Sequence, residues 1–365
     1  MSTTIKAWDL IMVPTTRIPM QGSNTRITAF ENARFAESDD PNPFFLNVLA
    51  CDAVNLLIPE DQCIKMLRVS RTVRKAIPNQ FVHAKAKAKC SATTQAVMQG
   101  LGTLIPRVQL TGLDFSAICI GPVGAAMLAP LLERCPLVSM DLSWNKIEHG
   151  GLQSLAASLG KCPTLVELNL YDNEIRDEGA KQLGAIIGRC TSLQDLDVSY
   201  NQVRDEGMCT LITGLSECKS LTQLDVRGNE IKYASIEALK AVVGELTALR
   251  ALGLNNTEIT DHGVEELGTV LKCCKALTYL GLTHNDIGPV GAKTLAAVLG
   301  HCPSLVRLNL CQNWIQHEGA RSLVQIVGQR TSVFELNIRN VGMSTREKKN
   351  VIELGRSHRN YILNV

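Results

Sequence analysis

The sequence predicts an α/β solenoid, with a curved parallel sheet inside, helices outside, and an N-terminal helical cap. Three observations predict it. An L-x-x-L-x-L-x-x-N-x-I pattern recurs every 28 residues, opened by Leu137, Leu165, Leu193, Leu221, Leu249, Leu277, Leu305 and Val333. An asparagine column, Asn145, Asn173, Asn201, Asn229, Asn285 and Asn313, follows the apolar run in most copies. A second leucine column, Leu155, Leu183, Leu211, Leu239, Leu267, Leu295 and Leu323, sits in the latter half of each copy. A fixed period of this size marks one strand and one helix per copy, stacked so that neighbours bury a common core.

Residues 1–42 read as an extended arm: Ser, Thr, Asn and Pro are scattered, and a polar run, Glu37-Ser38-Asp39-Asp40-Pro41, closes it. Residues 43–104 read as the helical cap, apolar with helical spacing over 43–77 and Ala-rich around Lys85, Lys87 and Lys89. Those lysines, two apart, fan around a helix rather than lining one face. The solenoid spans 105–342. Its first copy is degenerate (Leu110, Leu113, Phe115, Ile120), with Ile118 in the Asn slot, as suits an end coil. In each full copy the first six or so residues form a strand with its leucines turned inward. The Asn amides then satisfy backbone groups of adjacent coils at the turn. Thr257 interrupts that column and marks a weaker joint. Acids such as Asp177-Glu178 and Asp205-Glu206 are expected to cap the helices they begin. Gly160, Gly188, Gly244, Gly300 and Gly328 are expected to end helices in a left-handed conformation. Residues 343–365 form a C-terminal cap, with a polar helix starting at Ser344 or Thr345.

Composition narrows the function classes. The 37 basic and 35 acidic side chains nearly cancel. Residues 1–100 hold 12 Lys and Arg against 8 Asp and Glu, so neither half argues for nucleic acid. No apolar run approaches the ~20 residues that span a bilayer. Five of the thirteen cysteines, Cys162, Cys190, Cys218, Cys274 and Cys302, stand three residues before an opening leucine. A cysteine in a fixed slot is a small buried hydrophobe rather than a disulfide partner or metal ligand. A reducing intracellular setting, cytoplasmic or cytoskeletal, is the expectation.

With a full helix per 28 residues, the pattern over roughly 105–345 resembles the ribonuclease-inhibitor-like class of leucine-rich repeats. That resemblance implies the curved sheet and a role in binding proteins, without naming the partner. Strand residues that do not enter the core line the concave surface, at the third, fifth, seventh and eighth places of each copy. Copies two to five place Asp141, Trp144, Glu167, Tyr171, Asp172, Asp195, Asp197, Tyr200 and Asp225 there. Trp144, Tyr171 and Tyr200 fall on consecutive copies, and exposed aromatics beside charges are usual interface anchors. A basic protein segment is the natural partner of this acidic half. Gly253 and Gly281, further along, read as bare positions open to another backbone.

Residues 44–77 resemble an F-box. Leu56, Leu57, Pro59, Ile64, Leu67 and Val69-Ser70-Arg71 match its L-P…L…L…V-S-R core, while Val73 replaces its usual Trp. The resemblance implies three short helices docking on a Skp1-type adaptor through Leu57, Pro59, Leu67, Val69, Ser70 and Arg71. No P-loop, G-x-S-x-G or H-E-x-x-H stretch occurs, so neither an enzyme nor a cofactor is expected. The leading expectation is a non-catalytic scaffold in a larger assembly, such as a ciliary or axonemal complex. The alternatives are a ubiquitin-ligase substrate receptor and a regulator of the ribonuclease-inhibitor or Ran GTPase-activating type.

Overall fold

The protein is described by a computed structural model over residues 67–69, 81–86, 98, 109–330, 333–356 and 361–365. Its described strands are β1 (Leu67–Val69), β2 (Phe81–Ala86), β3 (Gln109–Asp114), β4 (Ser139–Asp141), β5 (Glu167–Asn169) and β6 (Asp195–Asp197). They continue through β7 (Gln223–Asp225), β8 (Ala251–Gly253), β9 (Tyr279–Gly281), β10 (Arg307–Asn309), β11 (Phe334–Asn337) and β12 (Tyr361–Asn364). One sheet holds them in chain order. β1 pairs antiparallel with β2, and every later neighbour is parallel.

A helix follows each strand from β3 to β11. These are α1 (Gly121–Leu132), α2 (Glu148–Leu159), α3 (Arg176–Ile187), α4 (Asp205–Gly214) and α5 (Tyr233–Val242). The rest are α6 (Asp261–Cys273), α7 (Pro289–Leu299), α8 (Gln316–Gly328) and α9 (Thr345–Arg356). The core lies between sheet and helices and includes both leucine columns. Each such leucine contributes about 2 kcal/mol by leaving water. Val333 departs from its column: it is exposed, and Phe334 beside it is buried instead, under the Arg330 guanidinium 5.0 Å from its ring centre.

Within the expected helical cap, Leu67–Val69 and Phe81–Ala86 are strands, which corrects the helix expected around Lys85. Alternating Phe81, His83 and Lys85 with Val82, Ala84 and Ala86 gives that segment a two-residue period, which suits a strand paired on both sides, with β1 and β3. The extended arm, 1–42, lies outside the described residues, as does most of 43–104.

The Asn column joins the coils as expected. Asn201 Oδ1 accepts from the Asn173 and Ile175 N–H groups of the preceding coil (2.9 and 3.3 Å). Its Nδ2 donates to the carbonyls of Leu170 (2.8 Å) and Val198 (2.9 Å). Asn145, Asn173, Asn229, Asn285 and Asn313 repeat these bridges. Thr257 keeps only part of the set, donating to Leu254 O of its own coil (2.8 Å) and Asn285 Oδ1 (3.3 Å).

A second column works through sulfur. The thiols of Cys190, Cys218 and Cys302 each donate to a carbonyl 31 residues earlier, Leu159 O, Ile187 O and Leu271 O, at 3.3–3.4 Å. Burial pushes the Cys190 thiol up to about 12, so it stays a donor and not a nucleophile. Arg330 occupies the same slot in the last full coil and donates to Leu299, Cys302, Pro303 and Leu305 carbonyls at 2.9–3.0 Å.

The helix-start acids cap differently from expectation: each caps the next coil's helix. Asp177 Oδ1 accepts from Arg204 N (2.6 Å), and Asp261 Oδ1 from Gly288 N (2.6 Å). Asp205 accepts from Lys232, Ala234 and Ser235 N–H groups, each at 2.9 Å, at the start of α5. A bare Gly207 makes room, since a Cβ there would lie 2.6 Å from Asp177 Cα. The glycines ending α2, α3 and α7 also differ from expectation, being right-handed (Gly160 φ −64°, Gly188 φ −59°, Gly300 φ −61°). At α9 the cap is local: Ser344 Oγ donates to Glu347 Oε2 (2.7 Å) and accepts from the Glu347 N–H (3.4 Å), a capping box.

Asn201→Ala is expected to cost about 3 kcal/mol, because it strands several buried backbone groups, and Thr257→Ala about 1 kcal/mol. Urea unfolding checks the ranking, and equal losses would refute the ladder. Asp205→Ala is expected to cost roughly 1–2 kcal/mol at neutral pH, the usual worth of a cap. Burial alone would raise the Asp205 pKa, but its bonds from Ser235, Lys232 and Ala234 hold it below 3.8. Its contribution is therefore complete above that value and fades as pH falls through the lower folded one. The gap between wild type and variant should narrow there.

Candidate protein-binding site

In each three-residue strand the middle side chain enters the core and the outer two face the concave side. The parallel register places equivalents directly opposite, as with Glu167 and Asp195 or Asn169 and Asp197. Strand spacing of about 4.8 Å therefore sets the distance between equivalent residues of adjacent coils. Residues at places seven and eight leave the strand and rise along the same rim.

Trp144, Tyr171 and Tyr200 meet there. Ring centres are 5.0 Å apart for Trp144–Tyr171 and 5.3 Å for Tyr171–Tyr200, with planes tilted by 45° and 56°. The outer two are 51% and 40% exposed, so the ladder offers faces to solvent rather than filling the core. Place eight is left-handed in every full coil, including Trp144 (φ 61°), Tyr200 (φ 54°), Gly228 (φ 66°), Asn256 (φ 53°) and Asn340 (φ 55°). Gly and Asn accept that backbone readily, whereas bulky aromatics pay of order 1 kcal/mol for it. Two large rings at such positions are costly to stability and need another reason.

The acids divide into two groups. Asp141 and Asp197 are buried, and each caps the turn of its own coil. Asp141 Oδ1 accepts from the Ser143 N–H (2.9 Å) and hydroxyl (2.6 Å), and its Oδ2 from Asn169 Nδ2 (3.0 Å). Burial raises the Asp141 carboxyl, and Asp114 on the preceding coil adds to this. Asp197 binds Ser199 in the same way. These two are structural turn caps, and sequence columns alone do not reveal it. Glu167 is exposed, and Asp172 and Asp195 are half-buried, with Asp195 Oδ1 accepting from the Thr222 hydroxyl (3.3 Å). Burial raises the Asp172 carboxyl, as does neighbouring Glu174.

Asp225 belongs to a polar cluster that includes a residue outside the expected set, Arg227. The Arg227 N–H donates to Asp225 Oδ1 (3.1 Å), and its Nε lies 3.4 Å from Asp225 Oδ2. Its guanidinium carbon then reaches over the Tyr171 ring, 5.8 Å from the centre. The signal was a basic side chain at place seven, two residues after an acid. The glycines beside this cluster are not bare: a Cβ on Gly253 would meet Asp225 Oδ1 at 2.6 Å. One on Gly281 would meet Asn255 Oδ1 at 2.7 Å and the Tyr279 hydroxyl at 2.8 Å. They admit neighbouring side chains, not a foreign backbone. Tyr279 itself is 8% exposed and belongs to the wall.

Of the adaptor residues, Leu67 and Val69 lie on β1, opposite Ala86 and Ala84. Leu57, Pro59, Ser70 and Arg71 lie outside the described residues. Among the described residues no helix is long and apolar enough to cross a membrane.

The sequence matches the Leucine Rich repeat family over residues 135–156, 161–184, 189–211, 217–240, 273–296 and 301–324. No curated protein matches it. Among solved structures, an internalin from Listeria monocytogenes is 17% identical, with 78% of this chain and 86% of that chain covered and a TM-score of 0.41.

Burial pushes the hydroxyls of Tyr171 and Tyr279 up to about 12, and nearby carboxylates add to this. In an alkaline absorbance titration of the folded protein, both should still be protonated at pH 11. Difference spectra of Tyr171→Phe and Tyr279→Phe check this, and ionisation of either near pH 10 would contradict the packing described.

Proposed function

We propose that this leucine-rich-repeat protein is a non-catalytic scaffold that binds a protein partner through its concave face. The observation that carries the reading is the aromatic ladder of Trp144, Tyr171 and Tyr200, solvent-facing on three adjacent coils and held partly on left-handed backbone. Large rings presented with little conformational freedom are efficient anchors, because little entropy is lost when a partner covers them. Glu167, Asp172 and Asp195 around them favour a basic segment of that partner, chiefly by steering its approach. The buried thiols, donating to backbone carbonyls, support a reducing intracellular setting. A larger cytoskeletal or ciliary assembly is one setting that fits a rigid scaffold of this kind.

Affinity capture from cells with the wild-type chain and with Trp144→Ala, Tyr171→Ala and Tyr200→Ala tests the reading. Each variant is expected to lose the captured partner, while melting temperature stays within a few degrees of wild type. Alanine keeps the Cβ that strains the backbone at Trp144 and Tyr200, so the substitutions remove only ring packing outside the core. Retention of the partner by all three variants would refute the proposal.

A further inference from the structure

The Asp225–Arg227 pair caps the turn of its own coil, the Arg227 N–H donating to Asp225 Oδ1, while the Asn and Cys columns join these coils. It also links three successive coils on the concave face. Asp197 and Asp225 stand directly opposite each other on β6 and β7, two carboxylates one strand spacing apart. Such a pair is repulsive, and a cation beside it relieves the repulsion. Arg227 supplies it, held by Asp225 through both backbone and side chain. From there it extends over the coil of Tyr200 to the ring of Tyr171, the middle rung of the ladder. The Tyr200 ring is seated against Gly228, where a Cβ would come within 2.5 Å of its Cδ1. One guanidinium and the glycine after it therefore fix the lower two rungs.

We propose that Arg227 is the positioning residue of the aromatic ladder and that ionised Asp225 holds it in place, so that acid releases the ladder. This deepens the concave-face reading and rests on it. The groups facing Asp225 are Asp197, Arg227, Tyr279 and the Ser199 hydroxyl; those facing Arg227 are Asp197, Asp225, Tyr171 and Tyr200. Burial raises the Asp225 carboxyl to about 6, with Asp197 adding and Arg227 opposing. A raised carboxyl favours folding below its unfolded value and loses that advantage as pH climbs through the folded one. At neutral pH the charge on Asp225 therefore works against stability. A charge kept at such a cost is better explained by what it positions than by what it stabilises. Below pH 6 the carboxyl takes a proton and Arg227 keeps its own. The ion pair then dissolves, and the guanidinium is left with Asp197 and free to leave Tyr171.

The test uses the full chain with Trp8→Phe and Trp314→Phe, leaving Trp144 as the sole tryptophan reporter. Its emission is expected to shift between pH 7.5 and pH 4.8 with a midpoint near 6. Asp225→Asn should abolish the shift and show the acid-form spectrum at pH 7.5, with unreduced melting temperature at that pH. Arg227→Gln should likewise show the acid-form spectrum at all pH values, and Arg227→Lys should restore part of the transition. A transition unchanged in Asp225→Asn, or wild-type emission in Arg227→Gln at pH 7.5, would overturn the proposal. The readout needs no partner, so its failure is separable from failure of the capture experiment. If capture depends on Trp144 while emission ignores Asp225, only the positioning role is lost.

Discussion

Everything in this fold depends on satisfying the buried backbone at the turn after each strand. A solenoid coil leaves its strand, turns and enters a helix, with turn residues such as Asn173, Ile175 and Asn201 shut away from water. Each N–H or C=O left without a partner there costs on the order of 1–3 kcal/mol, enough over nine coils to exceed the stability of a typical domain. The Asn side chain answers this because it offers two donors and an acceptor on a short stem. One amide accepts from the coil before it and donates to carbonyls of both coils. Threonine at 257, with a single hydroxyl, satisfies its own coil and cannot reach back in the same way.

Much of this was legible in the sequence because the periodic columns state it directly. Both leucine columns, the Asn column and the buried cysteines read correctly, since identical neighbours one strand apart must share one environment. What misled was direction. The acids at Asp177 and Asp205 were assigned to their own helices, the ordinary local rule, but stacking brings the next helix start closer than their own. Gly207 was the available clue: its missing Cβ is what admits the Asp177 carboxylate of the previous coil. The site was legible only in part for a related reason. Place and polarity identify a concave residue but not whether it faces solvent. Asp141 and Asp197 look like ligand acids and are turn caps for Ser143 and Ser199.

The contrast between scaffold and site is one of cost. Most core and turn positions satisfy local preference: leucine inside, Asn at the turn, Gly where helices meet. The aromatic ladder violates it, with Trp144 and Tyr200 on left-handed backbone. The Asp225 carboxyl violates it too, ionised beside Asp197 where a neutral group would be easier to accommodate. Both violations occur within a few coils of each other and on one face. Natural sequences concentrate such local conflicts where something other than folding selects the residue.

The capping acids carry one more consequence. Because Asp177 completes α4, Asp205 completes α5 and Asp261 completes α7, these three coils each finish their successor rather than themselves. The array thus has an arrow. Excising one whole coil leaves the acid before the gap facing a helix start that expects the same kind of cap, so the join heals. A cut out of register leaves a carboxylate facing a helix flank and a helix start with no acceptor. Joints built this way can lengthen or shorten only in whole-period steps, the same arithmetic that the leucine columns impose.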